Sequence, residues 1–139
     1  MKILMATDGS KDSLKALTAA IDLANRFDAE LHVITVEEKL QQHSGSVVSG
    51  ELRHKEEVKK YLHRLIVQAG IIATSRGLPV IPHVASGHEV QTIVRYLEEH
   101  KFDLLIVGFM GHSKIFGNEW GSTSQNLTCL APCSVLVVK

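Results

Sequence analysis

Cysteine, proline and aromatic residues are all scarce in this 139-residue chain: two Cys, three Pro and 5% aromatics. Two thiols, Cys129 and Cys133, exclude a disulfide framework as the source of stability. They sit four apart across a helix end and a proline, which is not the C-x-x-C spacing of a thioredoxin-type redox motif. They read as two buried structural thiols. Charge of one sign is lacking as well: Lys+Arg and Asp+Glu are 15 each, for a formal charge of zero. A basic footprint for nucleic acid is therefore absent, and weak colloidal repulsion is compatible with self-association. No apolar run approaches the roughly 18 residues that would span a bilayer, so no membrane partner is expected. Met1-Lys2 leads directly into a strand-like run, without the apolar region of a signal peptide. The expectation is a reduced, cytoplasmic protein.

What the chain does have is apolar residues, 45% of the total, enough for one domain over 1–139. Ile3–Ala6, Leu31–Val36, Pro79–Ala85, Phe102–Val107 and Ser134–Val138 are short apolar runs that predict strands. Pro79 and Pro82 remove ladder donors and place the third strand at an edge. Between the runs, apolar residues recur at helical spacing. They are Leu14, Leu17, Ile21, Ala24 and Phe27, then Val58, Leu62, Leu65, Ile66, Ala69 and Ile72, then Val90, Ile93, Val94 and Leu97. A short helix is predicted over 122–130, stopped by Ala131-Pro132. Ser10 is a candidate N-cap for the first helix, and Gly77 suits the end of the second. From about Glu37 to Gly50 the periodicity disappears, which predicts a surface loop, either a tolerated insertion or a lid. The order β-α-β-α-β-α-β-α-β predicts an α/β fold, a single open five-stranded parallel sheet with helices on both faces.

The connection after the fourth strand is unusual. A strand-to-helix link takes about 2–6 residues, whereas Gly108–Ser122 is about twice as long and contains four glycines. Its signature is Gly108, two residues, Gly111, nine residues, Gly121, Ser122. Glycine allows close backbone approach, and the N–H groups opening the next helix lack internal partners and favour an anion. Ser122 and Gln125 form a potential S-x-x-Q capping box, which competes with phosphate for the same hydroxyl. The P-loop pattern and the G-x-G-x-x-G dinucleotide pattern are both absent. Phosphate would thus be held mainly by backbone donors, with Lys114 and the titratable His112 the nearby basic side chains. Thr7-Asp8-Gly9-Ser10 also leaves the carboxyl end of a strand, so if the first and fourth strands are neighbours, the two loops face one crevice.

The G-x2-G-x9-G-S pattern between a strand and the last helix resembles the nucleotide-binding signature of the universal stress protein family, in its ATP-binding subgroup. Lys2-Ile3-Leu4-Met5-Ala6-Thr7-Asp8-Gly9-Ser10 resembles that family's first strand and acidic turn. Leu31-His32-Val33 resembles its second strand, and Ala131-Pro132-Cys133-Ser134-Val135-Leu136-Val137-Val138 its last. The resemblance implies a Rossmann-like sheet of the adenine nucleotide alpha hydrolase-like type with strand order 3-2-1-4-5. It implies ATP, or AMP or ADP, as ligand, with Mg2+ as an accompanying ion. It also implies a homodimer through the C-terminal strand Ser134 to Val138 and a regulatory role in stress response. By the same resemblance Asp8 accepts from the ribose hydroxyls, and Ala6 and Thr7 line the adenine end. Val33 hydrogen-bonds the adenine edge through its backbone, and Val107 and Gly108 flank the sugar and first phosphate. Gly111, His112, Gly121, Ser122 and Thr123 then surround the remaining phosphates. Glu119 is the departure: it places an anion near the phosphates, where it either points away or helps to hold Mg2+.

Single residues keep alternatives. Asp8 is a diol acceptor, a general base, a metal ligand or a cap for backbone N–H groups. His32, inside a strand, reads as a packed or edge histidine rather than a ligand. The eight histidines show no zinc spacing. Trp120 packs on the loop or marks an interface. Asp8-Gly9-Ser10-Lys11-Asp12-Ser13 faintly resembles the S-G-G-x-D-S loop of ATP pyrophosphatases. That leaves an ATP-using enzyme, with slow hydrolysis or adenylation, as one alternative and a non-binding interaction module as another. No dedicated catalytic set is legible.

Overall fold

A computed structural model describes residues 1–37, 48–75, 77–111 and 120–139; within 48–65 it describes side chains only at 57, 60, 63 and 64. The elements alternate: β1 (Lys2–Ala6), α1 (Lys11–Phe27), β2 (Glu30–Glu37), α2 (Val48–Ser75), β3 (Val80–Ser86), α3 (Glu89–His100), β4 (Leu104–Gly108), α4 (Ser122–Leu130) and β5 (Ser134–Val138). All strand pairs are parallel, in the order β3-β2-β1-β4-β5. The chain builds outward from β1 through β2 to β3, then returns to the other side of β1 to lay down β4 and β5. The order therefore reverses between β1 and β4, and ligands on such sheets bind beyond the carboxyl ends of the strands at that point.

Two cores flank the sheet because parallel strands are covered on both faces. Ile3, Met5, Leu31, Val33 and Ile106 pack with α1 and α2, while Leu4, Ile34, Leu105 and Val107 pack with α3 and α4. The central strands alternate between these cores, so β1 is buried throughout its middle. β3 lies at an edge, as predicted; of the two prolines behind that expectation, Pro82 is in the strand and Pro79 immediately precedes it. Strand β5 is the other edge and is only half-buried.

α1 begins at the predicted cap: Ser10 Oγ accepts from Ser13 N at 3.2 Å. Its buried stripe is Ser13, Ala16, Leu17, Ala20, Ile21 and Ala24. Small residues dominate it because the helix lies close against the sheet. Leu14 and Phe27, both expected inside, flank that stripe and are 44% and 61% exposed. α2 begins at Val48, so residues 48–50 are helical rather than loop; the rest of the lid or insertion expectation falls on 38–47, outside the described residues. Ile66, Ala69 and Ile72 of α2 pack into the first core, and Val58, Leu62 and Leu65 lie outside the described side chains. α2 ends at Ser75, before Gly77 at φ +75°. In α3, Val90, Ile93 and Leu97 are buried and Val94 is partly so. Cys129 is exposed and Cys133 half-buried, neither in a disulfide, so the expectation of two buried thiols is corrected. Cys129 falls on the outer side of the short α4, whose buried residues are Ser124 and Leu127.

Candidate functional site

Three segments meet above the β1–β4 switch point: the turn after β1, the beginning of α1 and the loop after β4. Asp8 follows β1, and its Oδ1 accepts from Ser10 N at 2.9 Å in an Asx turn. Thr7 Oγ1 and Ser13 Oγ lie 2.5 Å apart, and Gly9 N donates to Thr7 Oγ1 at 3.2 Å. The turn is thereby locked to the helix that follows it.

The same helix start holds the loop. Ser10 Oγ donates to Met110 O at 3.2 Å, and Met110 N donates to Asp12 Oδ2 at 3.2 Å. Both backbone groups of Met110 are thus satisfied by α1. Lys15 Nζ lies 3.2 Å from the other Asp12 oxygen. These two residues are the ones the sequence reading missed in this role. Ser10 was legible only as a local cap. Asp12 reads as an ordinary complement to the helix dipole, which hides a bond to a residue 98 positions away. The D-G-S-K-D-S stretch is used as scaffold: Asp12 ties down the loop and Ser13 ties down the turn.

Two glycines of the motif answer to contacts. A methyl group at Gly108 would lie 2.8 Å from Asp12 C and 2.9 Å from Ser13 N, so this residue is small because α1 starts directly over the end of β4. A methyl group at Gly111 would lie 2.6 Å from Asp8 Oδ2. The backbone of the loop therefore passes against the Asp8 carboxylate, and a side chain there would displace that carboxylate. The far end of the loop returns to the same place. Gly121 N donates to Phe109 O at 3.0 Å, and a methyl group at Gly121 would lie 3.5 Å from Gly111 N.

Gly121, not Ser122, is the N-cap of α4, and it makes no side-chain capping bond. Gln125 N bonds to Gly121 O at 2.9 Å. The S-x-x-Q capping box is therefore not formed, because the helix begins one residue before that register needs it to. Ser122 is exposed in the first turn. Ser124 Oγ donates to Gly108 O at 2.6 Å and fixes α4 to the end of β4.

Of the sequence-derived site residues, the structure brings Thr7, Asp8, Gly108, Gly111 and Gly121 together where the turn after β1, the start of α1 and the loop after β4 meet, and Ser122 follows Gly121 in the first turn of α4. Ala6 and Val107 lie within the second core at the strand ends. Thr123 is turned aside: its hydroxyl donates to Glu89 Oε2 at 3.1 Å and joins α4 to α3. Val33 is not brought to the opening. It is fully buried in the middle of β2, opposite Met5 and Pro82. Ile34 O accepts from Thr7 N at 2.9 Å, so residues 34 and 36 turn their backbone groups toward β1, which ends at Ala6. Val36 lies in β2 beyond that end of β1. His112, Lys114 and Glu119 lie outside the described residues.

Groups displaced from their ordinary titration lie elsewhere. Near the amino ends of β2 and β3, His32 Nδ1 is 2.8 Å from His83 Nε2 with the rings 4° from parallel, and His32 Nε2 is 2.5 Å from Glu30 Oε1. Tyr96 Oη lies 2.9 Å from His83 Nδ1. Burial pushes His83 below the usual imidazole value, and His32 and His100 add to that; the hydrogen bond from His32 holds Glu30 low. His32 is 6% exposed, as the packed-histidine reading expects. This cluster clasps β2, β3 and α3 together and borders no opening at the switch point. Among the described residues no group of three or more His, Cys, Asp or Glu is placed to hold a metal ion, and no helix is long and apolar enough to cross a membrane.

Comparison with known proteins agrees with this geometry. The family model described as "Universal stress protein family" matches residues 1–139. A universal stress protein of Bacillus subtilis is 31% identical, over 99% of this chain and 98% of its own. The solved universal stress protein UspA from Lactobacillus plantarum superposes with a TM-score of 0.90 at 22% identity, covering 100% of this chain and 97% of that one. A universal stress protein solved in complex with cAMP superposes with a TM-score of 0.77 at 28% identity, with the same coverage. With the sheet order, the glycine-lined loop and a family match along its whole length, the chain belongs to the universal stress protein family.

Proposed function

We propose that this protein binds an adenine nucleotide over the β1–β4 switch point and serves as a regulatory module in stress response, its bound state read by partners. The observation that carries the reading is the meeting of Gly111 with the Asp8 carboxylate beside the start of α4, whose N-cap, Gly121, has no side chain to cap it. A carboxylate suits a ribose diol, and unpaired helix N–H groups suit phosphate. The relative solved with cAMP supports an adenine ligand.

In this reading Asp8 accepts from the ribose, with Ala6 and Thr7 toward the base. The adenine edge meets the backbone at the end of β2, where Val36 takes the role expected of Val33. Gly111, Gly121 and Ser122 border the phosphates with His112; Thr123 joins them only by releasing Glu89. ATP is the expected ligand, with AMP and ADP as smaller forms, and Mg2+ rides on the phosphates rather than on a protein cluster. The half-buried edge β5 pairs with its copy in a homodimer, and the protein works in the cytoplasm. Asp12 and Ser13 are committed to scaffold bonds, which favours binding over dedicated catalysis.

The test is to purify the protein without added nucleotide, release and identify any small molecule, and titrate ATP, AMP and cAMP by calorimetry against wild type and Gly111→Val. Wild type is expected to bind and Gly111→Val to lose binding. A wild type that neither carries nucleotide nor binds millimolar ATP overturns the proposal, and release of AMP with pyrophosphate would assign it to the enzyme class instead.

A further inference from the structure

The two residues that bracket the loop are aromatic. Phe109 directly follows β4, and Trp120 directly precedes the N-cap of α4. Their rings stack in an offset arrangement, with centroids 6.2 Å apart and planes 10° from parallel. The stack lies beside the bond from Gly121 N to Phe109 O. Phe109 is anchored in turn: its N–H donates to Val138 O at 2.8 Å, and Lys139 Nζ sits 4.8 Å from its ring centroid. Trp120 is 39% exposed, so it contributes little to either core. Among the described residues, the ring partner of this indole is Phe109, across the neck of the loop.

We propose that Phe109 and Trp120 form a clamp that positions the nucleotide loop, with Trp120 as its positioning residue. The clamp holds the start of α4 against the Gly111 backbone and hence beside Asp8. The donors at the helix start are then pre-ordered before ligand arrives, which reduces the ordering cost of binding. Trp120 acts through Gly121 and does not itself touch the ligand. Because Phe109 is bonded to the last residue of β5, the clamp also ties the loop to the sheet edge. This inference rests on the nucleotide-binding reading for its affinity arm, but its geometric arm stands without it.

The experiment compares wild type, Trp120→Ala and Trp120→Phe in two measurements. In the ligand-free proteins, residue-resolved amide exchange reads the Gly121 N–H. Exchange is expected to be about three- to tenfold faster in Trp120→Ala and close to wild type in Trp120→Phe, the range an aromatic pair supports. Calorimetry with ATP is expected to show a loss of affinity of about the same factor in Trp120→Ala, restored by Trp120→Phe, with melting temperature unchanged. Equal Gly121 exchange in all three proteins overturns the clamp, whether or not nucleotide binds. Faster exchange with unaltered ATP affinity overturns its positioning role. A wild type that does not bind ATP removes the nucleotide reading and leaves the exchange result to decide the clamp.

Discussion

Gly111 and Thr35 show how differently two small residues can matter. Gly111 is set by contact: an added Cβ would lie 2.6 Å from Asp8 Oδ2, so the carboxylate, whose other oxygen accepts from Ser10 N, would have to move. Gly111→Val therefore acts on the site and leaves both cores intact. Thr35 is nearly the reverse. It is 1% exposed on β2, and its Oγ1 is a buried side-chain oxygen without a hydrogen-bond partner among the described residues. A buried hydroxyl left unpaired costs about 1–3 kcal/mol. Thr35→Val keeps the shape and removes that cost, so it is expected to raise stability by about 1 kcal/mol. Urea denaturation measures this, and a loss of stability would show that the hydroxyl has a partner in solution.

Among the elements, α1 has two roles. Its buried stripe covers the sheet, and its first turn holds the turn after β1 through Ser13 and the loop after β4 through Ser10 and Asp12. At the opposite end of the sheet, the histidine clasp predicts a pH dependence for β3. His83 is met by His32 on β2, by Tyr96 and His100 on α3, and through His32 by Glu30, which has Lys2 Nζ of β1 at 4.0 Å. The folded protein holds His83 below the ordinary imidazole value of about 6.5, so the unfolded chain binds more protons as pH falls toward that value and below. Protonation of both His32 and His83 also leaves no acceptor for their shared bond. Stability contributed by His83 is therefore complete above about pH 6.5 and declines below it. Denaturation midpoints followed from pH 7.5 to about pH 5 are expected to fall in wild type and to fall less in His83→Gln. Identical profiles would show that the clasp carries no proton linkage.

For the molecule as a whole, the open question is what covers its edges. β3 is defended by Pro82, whereas β5 is half-buried and carries Val135, Leu136, Val137 and Val138 in sequence. Zero formal charge offers no repulsion between copies. The homodimer we propose through Ser134–Val138 predicts twice the chain mass in sedimentation equilibrium at micromolar concentration. A monomeric mass there would remove the dimer without touching the nucleotide reading, since every residue assigned to the crevice belongs to one chain.

Sequence alone determined the α/β alternation, because parallel strands buried on both faces must be short and uniformly apolar, and Ile3–Ala6 and Leu104–Val107 are both. It also marked β3 as an edge through Pro82, since proline cannot donate to a ladder, and it singled out the glycine-rich loop. Tertiary structure alone decided how those glycines are used. Gly108 is small because α1 starts over it and Gly111 because Asp8 abuts it, and both partners are about a hundred residues away. Leu14 and Phe27 share the helical period of the core yet flank the buried stripe, because where α1 rests on the sheet depends on β4 as much as on periodicity. The three-residue step from Val33 to Val36 has the same origin. An apolar strand reads alike at every position, and only its register against β1, fixed where Thr7 meets Ile34, shows which residue of β2 extends beyond the end of β1.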